Sequence, residues 1–244
     1  MTGAGRETDR APAGAVGEYL RCVRPSDDLE ASTFLFADIA GYTALTEAHG
    51  DEDAAKLARA FAGAVGEMVS AEGGELVKTI GDAVMVRHPH PAPALVLGLR
   101  AAGEVLAGHG FPTVRVGMHH GPALEREGDW FGSTVNLAAR VAALAAGGEV
   151  LVTGAVREAA GDLEGVRLES RGEQRLRNVA APVRLFLATL EADTPGHTDV
   201  DPVCRMVVEP GREVGTIRHR GTDFRFCSLG CIRRFAESPD VYAG

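Results

Sequence analysis

Residues 33–39 read TFLFADI, and this stretch decides the fold because it predicts a buried strand that carries a single acid, Asp38, close to its end. Downstream, the β-rich runs 76–80 (LVKTI) and 83–88 (AVMVRH) are separated by only two residues, the second of which is Asp82. Such a short connection predicts a tight hairpin with Asp82 at its tip. The sequence therefore predicts one acid at the end of each of two apolar β segments.

Helical patterns separate these strands from the rest of the chain. Apolar residues recur at helical spacing between the acids at 51–53 and the glycine pair at 73–74, which predicts a long helix. Further helices are predicted over residues 93–107 and 134–146. The order of elements predicts an α+β fold in which helices pack on an antiparallel sheet.

Composition divides the chain of 244 residues into four parts. Residues 1–30 are predicted to be a mobile N-terminal segment, and residues 31–190 a main domain. The polar and turn-forming residues at 191–198 predict a linker, after which 199–244 form a small separate module.

Charge and hydropathy limit the possible partners and location. The formal net charge is −9 without a long basic run, which argues against nucleic acid as a partner. No basic segment followed by an apolar stretch opens the sequence, and the longest apolar region contains Arg100 and Glu104, so we expect a cytoplasmic protein without membrane contact. The four cysteines are then expected to be reduced, and the three that lie in the last 41 residues invite a metal-binding interpretation.

Two pairs of side chains are candidates for chemistry in the main domain. Asp38 and Asp82 could together hold a pair of hard cations, since carboxylate oxygens suit Mg²⁺ or Mn²⁺; the alternative is that both are ordinary turn formers. Asn136 and Arg140 lie four residues apart and share one face of a predicted helix, where the alternative is a solvent-facing polar pair.

Four motifs occur in order along the main domain: FADIAGYT (36–43), KTIGDAVM (78–85), VRVGMHHG (114–121) and DWFGSTVNLAARV (129–141). Read together they resemble the class III adenylate and guanylate cyclases. The resemblance implies a ferredoxin-like βαββαβ core similar to a polymerase palm. It also implies that two subunits pair head to tail as a homodimer.

The resemblance further implies roles for individual residues. Asp38 and Asp82, with the backbone carbonyl of Ile39, would bind two Mg²⁺ or Mn²⁺ ions, and Asn136 and Arg140 would orient the ribose and neutralise the α-phosphate of the substrate. In this family the metal ligands and the asparagine–arginine helix of one site come from different subunits.

The nucleotide base and the triphosphate are assigned in the same way. Lys78 and Asp129 occupy the places at which such enzymes read the N1 and exocyclic amine of adenine, which implies ATP rather than GTP as the substrate. Arg177 lies in a Leu-Arg-Asn run, at a place where the family commonly has a lysine that reaches the triphosphate. Arginine has the same charge as that lysine but a side chain of different shape.

The C-terminal module places Cys204, Cys227 and Cys231 in a C-x22-C-x3-C arrangement. If the last two begin a helix, their sulfurs share a face and can chelate Zn²⁺ or Cu⁺ together with the first. The module also resembles the YHS and TRASH-like metal-binding domains, which usually have glycine where this chain has Arg205. Asp201, His219 or water remain candidates for a fourth ligand, and a thiol-containing fold without metal is the alternative.

The sequence thus predicts a homodimeric adenylate cyclase whose output is tuned by a metal-binding module. One alternative is a catalytically silent cyclase-like sensor of nucleotide or metal. Another is that the module is a tethered and independent metal carrier, since fusion alone does not establish energetic coupling.

Overall fold

A computed structural model of the protein describes residues 29–107, 111–191 and 200–243. The predicted N-terminal segment up to residue 28 and nearly all of the predicted linker lie outside these ranges. None of the helices in the described ranges is long and apolar enough to cross a membrane.

Regular structure occupies most of the described chain. The strands are β1 (Ala31–Ile39), β2 (Glu75–Ile80), β3 (Ala83–His88), β4 (Val114–Pro122), β5 (Leu124–Arg126), β6 (Asp129–Phe131), β7 (Val150–Thr153), β8 (Val166–Gln174), β9 (Val183–Leu190), β10 (Gly215–His219) and β11 (Thr222–Phe226). The helices are α1 (Tyr42–His49), α2 (Asp51–Ala71), α3 (Pro91–Ala107), α4 (Ser133–Leu144), α5 (Gly154–Ala160), α6 (Leu229–Glu237) and α7 (Pro239–Tyr242).

A seven-stranded sheet in the order β2-β3-β1-β4-β7-β9-β8 forms the centre of the main domain. Its first four strands are antiparallel neighbours, as predicted. The prediction of an antiparallel sheet is wrong for β4 and β7, which pair in parallel. Parallel neighbours require a crossover connection, and the chain supplies one with the β5–β6 hairpin and α4.

Both faces of this sheet are covered by helices. Alternate residues of β1 point to opposite sides, so Leu35 and Ala37 join the core beneath α2 and α3, while Phe34 and Phe36 join the core beneath α4. Gly117 of β4 lets α4 come close, because a Cβ at this position would lie 1.9 Å from a backbone nitrogen of the helix. The strand predicted from residues 33–39 is therefore buried on both faces.

The short helix α1 was not predicted. It follows directly on Gly41, whose φ of 74° lies in the left-handed region that favours glycine. Of its eight residues only Leu45 is buried, so the sequence has too weak an apolar periodicity to indicate a helix.

Residues 200–243 form the C-terminal module, in which the β10–β11 hairpin precedes α6 and α7. Its core is continuous with the main domain: Val203, Phe226 and Phe235 pack in one buried cluster with Leu45 of α1 and Ala54 of α2. The module and the main domain therefore share a hydrophobic core despite the predicted linker between them.

Candidate active site and cysteine–histidine cluster

Asp38 and Asp82, which we call the carboxylate pair, meet at one end of β1 and β3. Asp38 lies opposite Ala83 in the antiparallel register, and the backbone N–H of Ile39 donates to the carbonyl of Asp82 at 3.4 Å. Burial raises the pKa of Asp82 to about 6, and a hydrogen bond with Asp38 and the charge of that neighbour add to the effect. The structure thus brings Asp38 and Asp82 close to Ile39, whose backbone carbonyl is the third predicted metal ligand. The two carboxylates give this place a local excess of negative charge.

Arg115 of β4 also reaches this site, although sequence reasoning did not select it. It lies opposite Asp38 in the register of β1 and β4, and its Nε donates to the Oδ2 of Asp38 at 2.8 Å. Its Nη2 donates to the same oxygen. The sequence signal that could have identified Arg115 is its charge among the apolar residues of β4. A charged side chain is favourable in such a strand only if it meets an opposite charge or solvent.

Lys78 and Asp129 form an ion pair, although they lie 51 positions apart in the sequence. The Nζ of Lys78 on β2 donates to the Oδ2 of Asp129 on β6 at 2.5 Å, and the two side chains are 39% and 31% exposed. The hydrogen bond from Lys78, followed by one from the backbone N–H of Trp130, lowers the pKa of Asp129. A cationic donor and an anionic acceptor therefore stand side by side and accessible to a ligand.

Asn136 and Arg140 lie on α4, where Asn136 is exposed and Arg140 half-buried. Val135, Ala138 and Ala142 attach this helix to the sheet face opposite α2 and α3. Within the described ranges we find no side-chain hydrogen bond or ion pair that joins Asn136 or Arg140 to the carboxylate pair.

Arg177 is exposed on the turn between β8 and β9. The turn is held by the buried side chain of Leu176, which packs in one cluster with Val141 of α4 and Leu185 of β9. This packing ties the turn to α4, the helix that carries Asn136 and Arg140.

The two histidines of the VRVGMHHG motif make structural contacts. The Nδ1 of His119 lies 2.8 Å from Thr153 Oγ1, and the Nδ1 of His120 lies 3.0 Å from Thr33 Oγ1. Burial lowers the pKa of His119 to about 4 and also lowers the pKa of His120. Both rings are therefore neutral hydrogen-bonding partners at pH 7.

Three cysteines and one histidine form a second site. The sulfur of Cys227 lies 3.4 Å from that of Cys204 and 3.9 Å from that of Cys231. His49, the last residue of α1, places Nε2 at 3.6 Å from the Cys227 sulfur and 3.7 Å from the Cys231 sulfur. We call these four residues the cysteine–histidine cluster; their ligand atoms all lie within 4.8 Å of one another.

The structure corrects two expectations about this cluster. Neither protein candidate for the fourth position occupies it: Asp201 accepts backbone N–H bonds from Val203 and Cys227, and His219 lies 3.6 Å from Asp240. Cys227 lies before α6 rather than on it, so its sulfur reaches Cys231 from the turn after β11 and not along a helix face. His49 precedes Cys204 by 155 positions, and no spacing pattern indicates it.

Comparison with known proteins identifies the family of the main domain. The model of the family described as "Adenylate and Guanylate cyclase catalytic domain" matches residues 25–189. A pH-sensitive adenylate cyclase of Mycobacterium tuberculosis is 43% identical over 157 residues, which are 63% of this chain and 39% of that protein. An adenylate cyclase of Streptomyces griseus is 32% identical over 206 residues, 82% of this chain and 50% of the relative. The chain thus spans half or less of the length of these two relatives.

Solved structures share the fold. An adenylate/guanylate cyclase/hydrolase from Silicibacter pomeroyi superposes with a TM-score of 0.56 at 27% identity, covering 66% of this chain and 98% of that one. An adenylate cyclase from Trypanosoma brucei, solved in its monomeric state, superposes with a TM-score of 0.60 at 24% identity and covers 69% and 92% of the two chains. The second likeness concerns the fold alone.

Proposed function

Because this chain belongs to the adenylate and guanylate cyclase catalytic domain family, we propose that it converts ATP to 3′,5′-cyclic AMP and pyrophosphate. The observation that carries the proposal is the joint presence of the carboxylate pair and of the Lys78–Asp129 ion pair, in which Lys78 lies on β2 of the seven-stranded sheet and Asp129 on β6 of the β5–β6 hairpin. The first provides oxygen ligands for cations, and the second provides a donor and an acceptor for a nucleobase. A member of the family that had lost catalysis would need neither pair.

The carboxylate pair fits two Mg²⁺ or Mn²⁺ ions. Two carboxylates and the carbonyl of Ile39 would form an all-oxygen set of ligands, and the pKa of Asp82, raised by burial and then by Asp38, supports the proposal because a bound cation would stabilise the buried carboxylate. When bound, the ions would supply activation of the ribose 3′-oxygen and charge neutralisation at the triphosphate. Arg115 now neutralises Asp38, and cation binding would free its guanidinium for phosphate oxygens.

The ion pair of Lys78 and Asp129 supports ATP as the nucleotide. Lys78 would donate to N1 of adenine, and Asp129 would accept from the exocyclic amine. Guanine offers a carbonyl and an N1 proton at these places, so each mismatched buried group costs about 1–3 kcal/mol. Because both side chains are partly exposed, opening their ion pair for the base costs little.

A homodimer with two composite sites fits the family resemblance of the motifs, and among the described residues no hydrogen bond or ion pair joins Asn136 or Arg140 to the carboxylate pair. A second subunit placed head to tail would bring its α4 to the nucleotide of the first, where Arg140 stabilises charge on the α-phosphate and Asn136 orients the ribose. Arg177, anchored beside α4, would contribute charge to the triphosphate. Ile80 and Phe131, which are 48% and 50% exposed, offer apolar surface for such an interface.

The test is a turnover assay with the purified chain, ATP or GTP, and Mg²⁺ or Mn²⁺. We expect cyclic AMP as the main product, and we expect Asp38→Ala and Asp82→Ala to abolish its formation while the protein stays folded. Asp53→Ala is the matched control, because Asp53 is an exposed acid of α2 whose ionic partner is Lys56. Full activity of the Asp38 or Asp82 variant would refute the assignment. No product from the intact chain would favour the silent-sensor alternative.

A further inference from the structure

The C-terminal module contacts the main domain through α1. The guanidinium of Arg234 donates to the carboxylate of Glu47 at 2.6 Å and to its backbone carbonyl at 3.1 Å. Gly230 lies so close to α1 that a Cβ there would be 2.6 Å from the carbonyl oxygen of Ala48. These contacts, with the shared hydrophobic core, hold His49 against the three sulfurs of the module.

The spacing of the cysteine–histidine cluster is that of a tetrahedral metal site. Zinc binds sulfur at about 2.3 Å and nitrogen at about 2.0–2.1 Å, so a tetrahedron places two sulfurs about 3.8 Å apart and a sulfur and a nitrogen about 3.6 Å apart. The observed sulfur–sulfur separations are 3.4 and 3.9 Å, and the observed sulfur–nitrogen separations are 3.6 and 3.7 Å. Four of the six separations therefore match a tetrahedral zinc site, and all six are within 4.8 Å.

We propose that Cys204, Cys227, Cys231 and His49 form one zinc site across the boundary between the two parts of the chain. The module supplies three thiolates, and the main domain supplies an imidazole. Cys204 and Cys231 are buried and Cys227 is half-buried, so the bound ion would be shielded from solvent. A closed Cys₃His set is typical of structural zinc.

Hydrogen bonds around the cluster fix the positions of its ligands. The backbone N–H of Cys231 donates to the hydroxyl of Ser228 at the start of α6. The buried carboxylate of Asp201 accepts from the backbone N–H groups of Cys227 and Cys204. Supporting contacts of this kind hold metal ligands in a fixed orientation.

Two backbone hydrogen bonds connect this site to the carboxylate pair. The carbonyl of Arg205, next to Cys204, accepts from the N–H of Thr113 at 2.9 Å. The carbonyl of Thr113 accepts from the N–H of Ala40 at 2.8 Å, and Ala40 follows Ile39 in the chain. The side chain of Arg205 also packs on Gly41, where a Cβ would lie 2.7 Å from its Cγ.

Zinc therefore acts on the catalytic site through α1 and the Arg205 turn. The segment that follows Asp38 runs from Ile39 through α1 and ends at His49. A zinc ion bound to His49 restrains the far end of this segment, and the hydrogen bond of Ala40 restrains the near end. Release of the ion frees the module and this segment, and the carboxylate pair then binds Mg²⁺ or Mn²⁺ more weakly. The proposal of a zinc site does not depend on the proposed cyclase activity. Only an effect of zinc on turnover rests on that activity.

Metal binding by the full-length chain tests the site. We expect about one Zn²⁺ per chain, and Co²⁺ substitution should give the visible absorption of a tetrahedral thiolate complex. His49→Ala should bind Zn²⁺ at least tenfold more weakly in competition with a chromophoric chelator, and His49→Cys should recover most of that loss. His219→Ala is the matched control and should bind as the intact chain does. Equal affinity of His49→Ala and the intact chain, or a loss only in His219→Ala, would overturn the proposal.

A second experiment tests the coupling. Mn²⁺ binding to the carboxylate pair is measured in the absence of nucleotide, before and after removal of Zn²⁺ with a chelator that is then dialysed away. We expect removal to weaken Mn²⁺ binding about fivefold and to speed amide hydrogen exchange in α1. Zinc should have no such effect on the Cys227→Ser/Cys231→Ser chain. If Mn²⁺ affinity and α1 exchange are the same with and without zinc, the module is an independent metal carrier and the coupling is refuted.

Discussion

Acidification should weaken divalent-cation binding at the carboxylate pair, because a proton and a cation compete for Asp82. The pKa of Asp82 in the cation-free protein is raised to about 6 by burial and by Asp38, while the positive charge of Arg115 acts in the opposite direction. The cation affinity is therefore at its maximum above pH 7, where Asp82 is ionised, and it decreases as the pH falls through this pKa. The apparent dissociation constant is multiplied by a factor of about 2 at pH 6 and about 11 at pH 5. An unshifted aspartate would change it by less than about 10% at pH 5.

The assay is titration of the protein with Mn²⁺, in which electron paramagnetic resonance reports the free ion. ATP is left out, because its own phosphate takes up a proton at about pH 6. The Cys227→Ser/Cys231→Ser background removes thiols whose affinity for metal also depends on pH. We expect about tenfold weaker binding at pH 5 than at pH 7, and Asp82→Asn should bind weakly at both. An affinity that is constant between these values would refute the argument that Asp82 carries an elevated pKa.

Three further outcomes are expected. Lys78→Glu should shift the ratio of turnover with ATP to turnover with GTP about tenfold away from ATP, since one missing hydrogen bond to a base costs about that much; an unchanged ratio would show that Lys78 does not read the base. An equal mixture of the inactive Asp38→Ala and Arg140→Ala chains should regain about a quarter of normal activity, because half of the dimers contain one intact composite site; full subunit exchange without activity would contradict the shared site. Gly117→Ala should lower the free energy of unfolding in urea by about 3 kcal/mol through overpacking against α4, whereas Gly103→Ala, at which a Cβ meets open space, should not destabilise the chain.

The central strands and most helices could be predicted because each carries its own local signal. The apolar run of β1 and the two-residue turn between β2 and β3 were sufficient to place the carboxylate pair at the ends of strands. The structure confirms the helix predicted over residues 93–107, with a start two positions earlier at Pro91. Pairing of β4 with β7 could not be predicted in the same way, because it depends on how a crossover packs and not on the residues of either strand.

The parts of the site that depend on contacts between residues far apart in the sequence could not be predicted from local patterns. Lys78 and Asp129 were selected only because both belong to motifs of a known family, and their ion pair with each other was not predicted. Arg115 and His49 belong to no pair that spacing reveals, since each meets its partners only after distant elements have packed together. The role of the C-terminal residues as a YHS-type domain stays a prediction.

The continuous core beneath α1 has a consequence for anyone who divides this protein. A cut near residue 190 follows the sequence boundary but splits one packing unit, and it would leave Leu45 and the start of α2 facing water. The shortened chain would then expose apolar side chains that Val203, Phe226 and Phe235 cover in the intact chain. We therefore expect the main domain, expressed by itself, to be prone to aggregation, and its behaviour to be a poor guide to that of the whole chain.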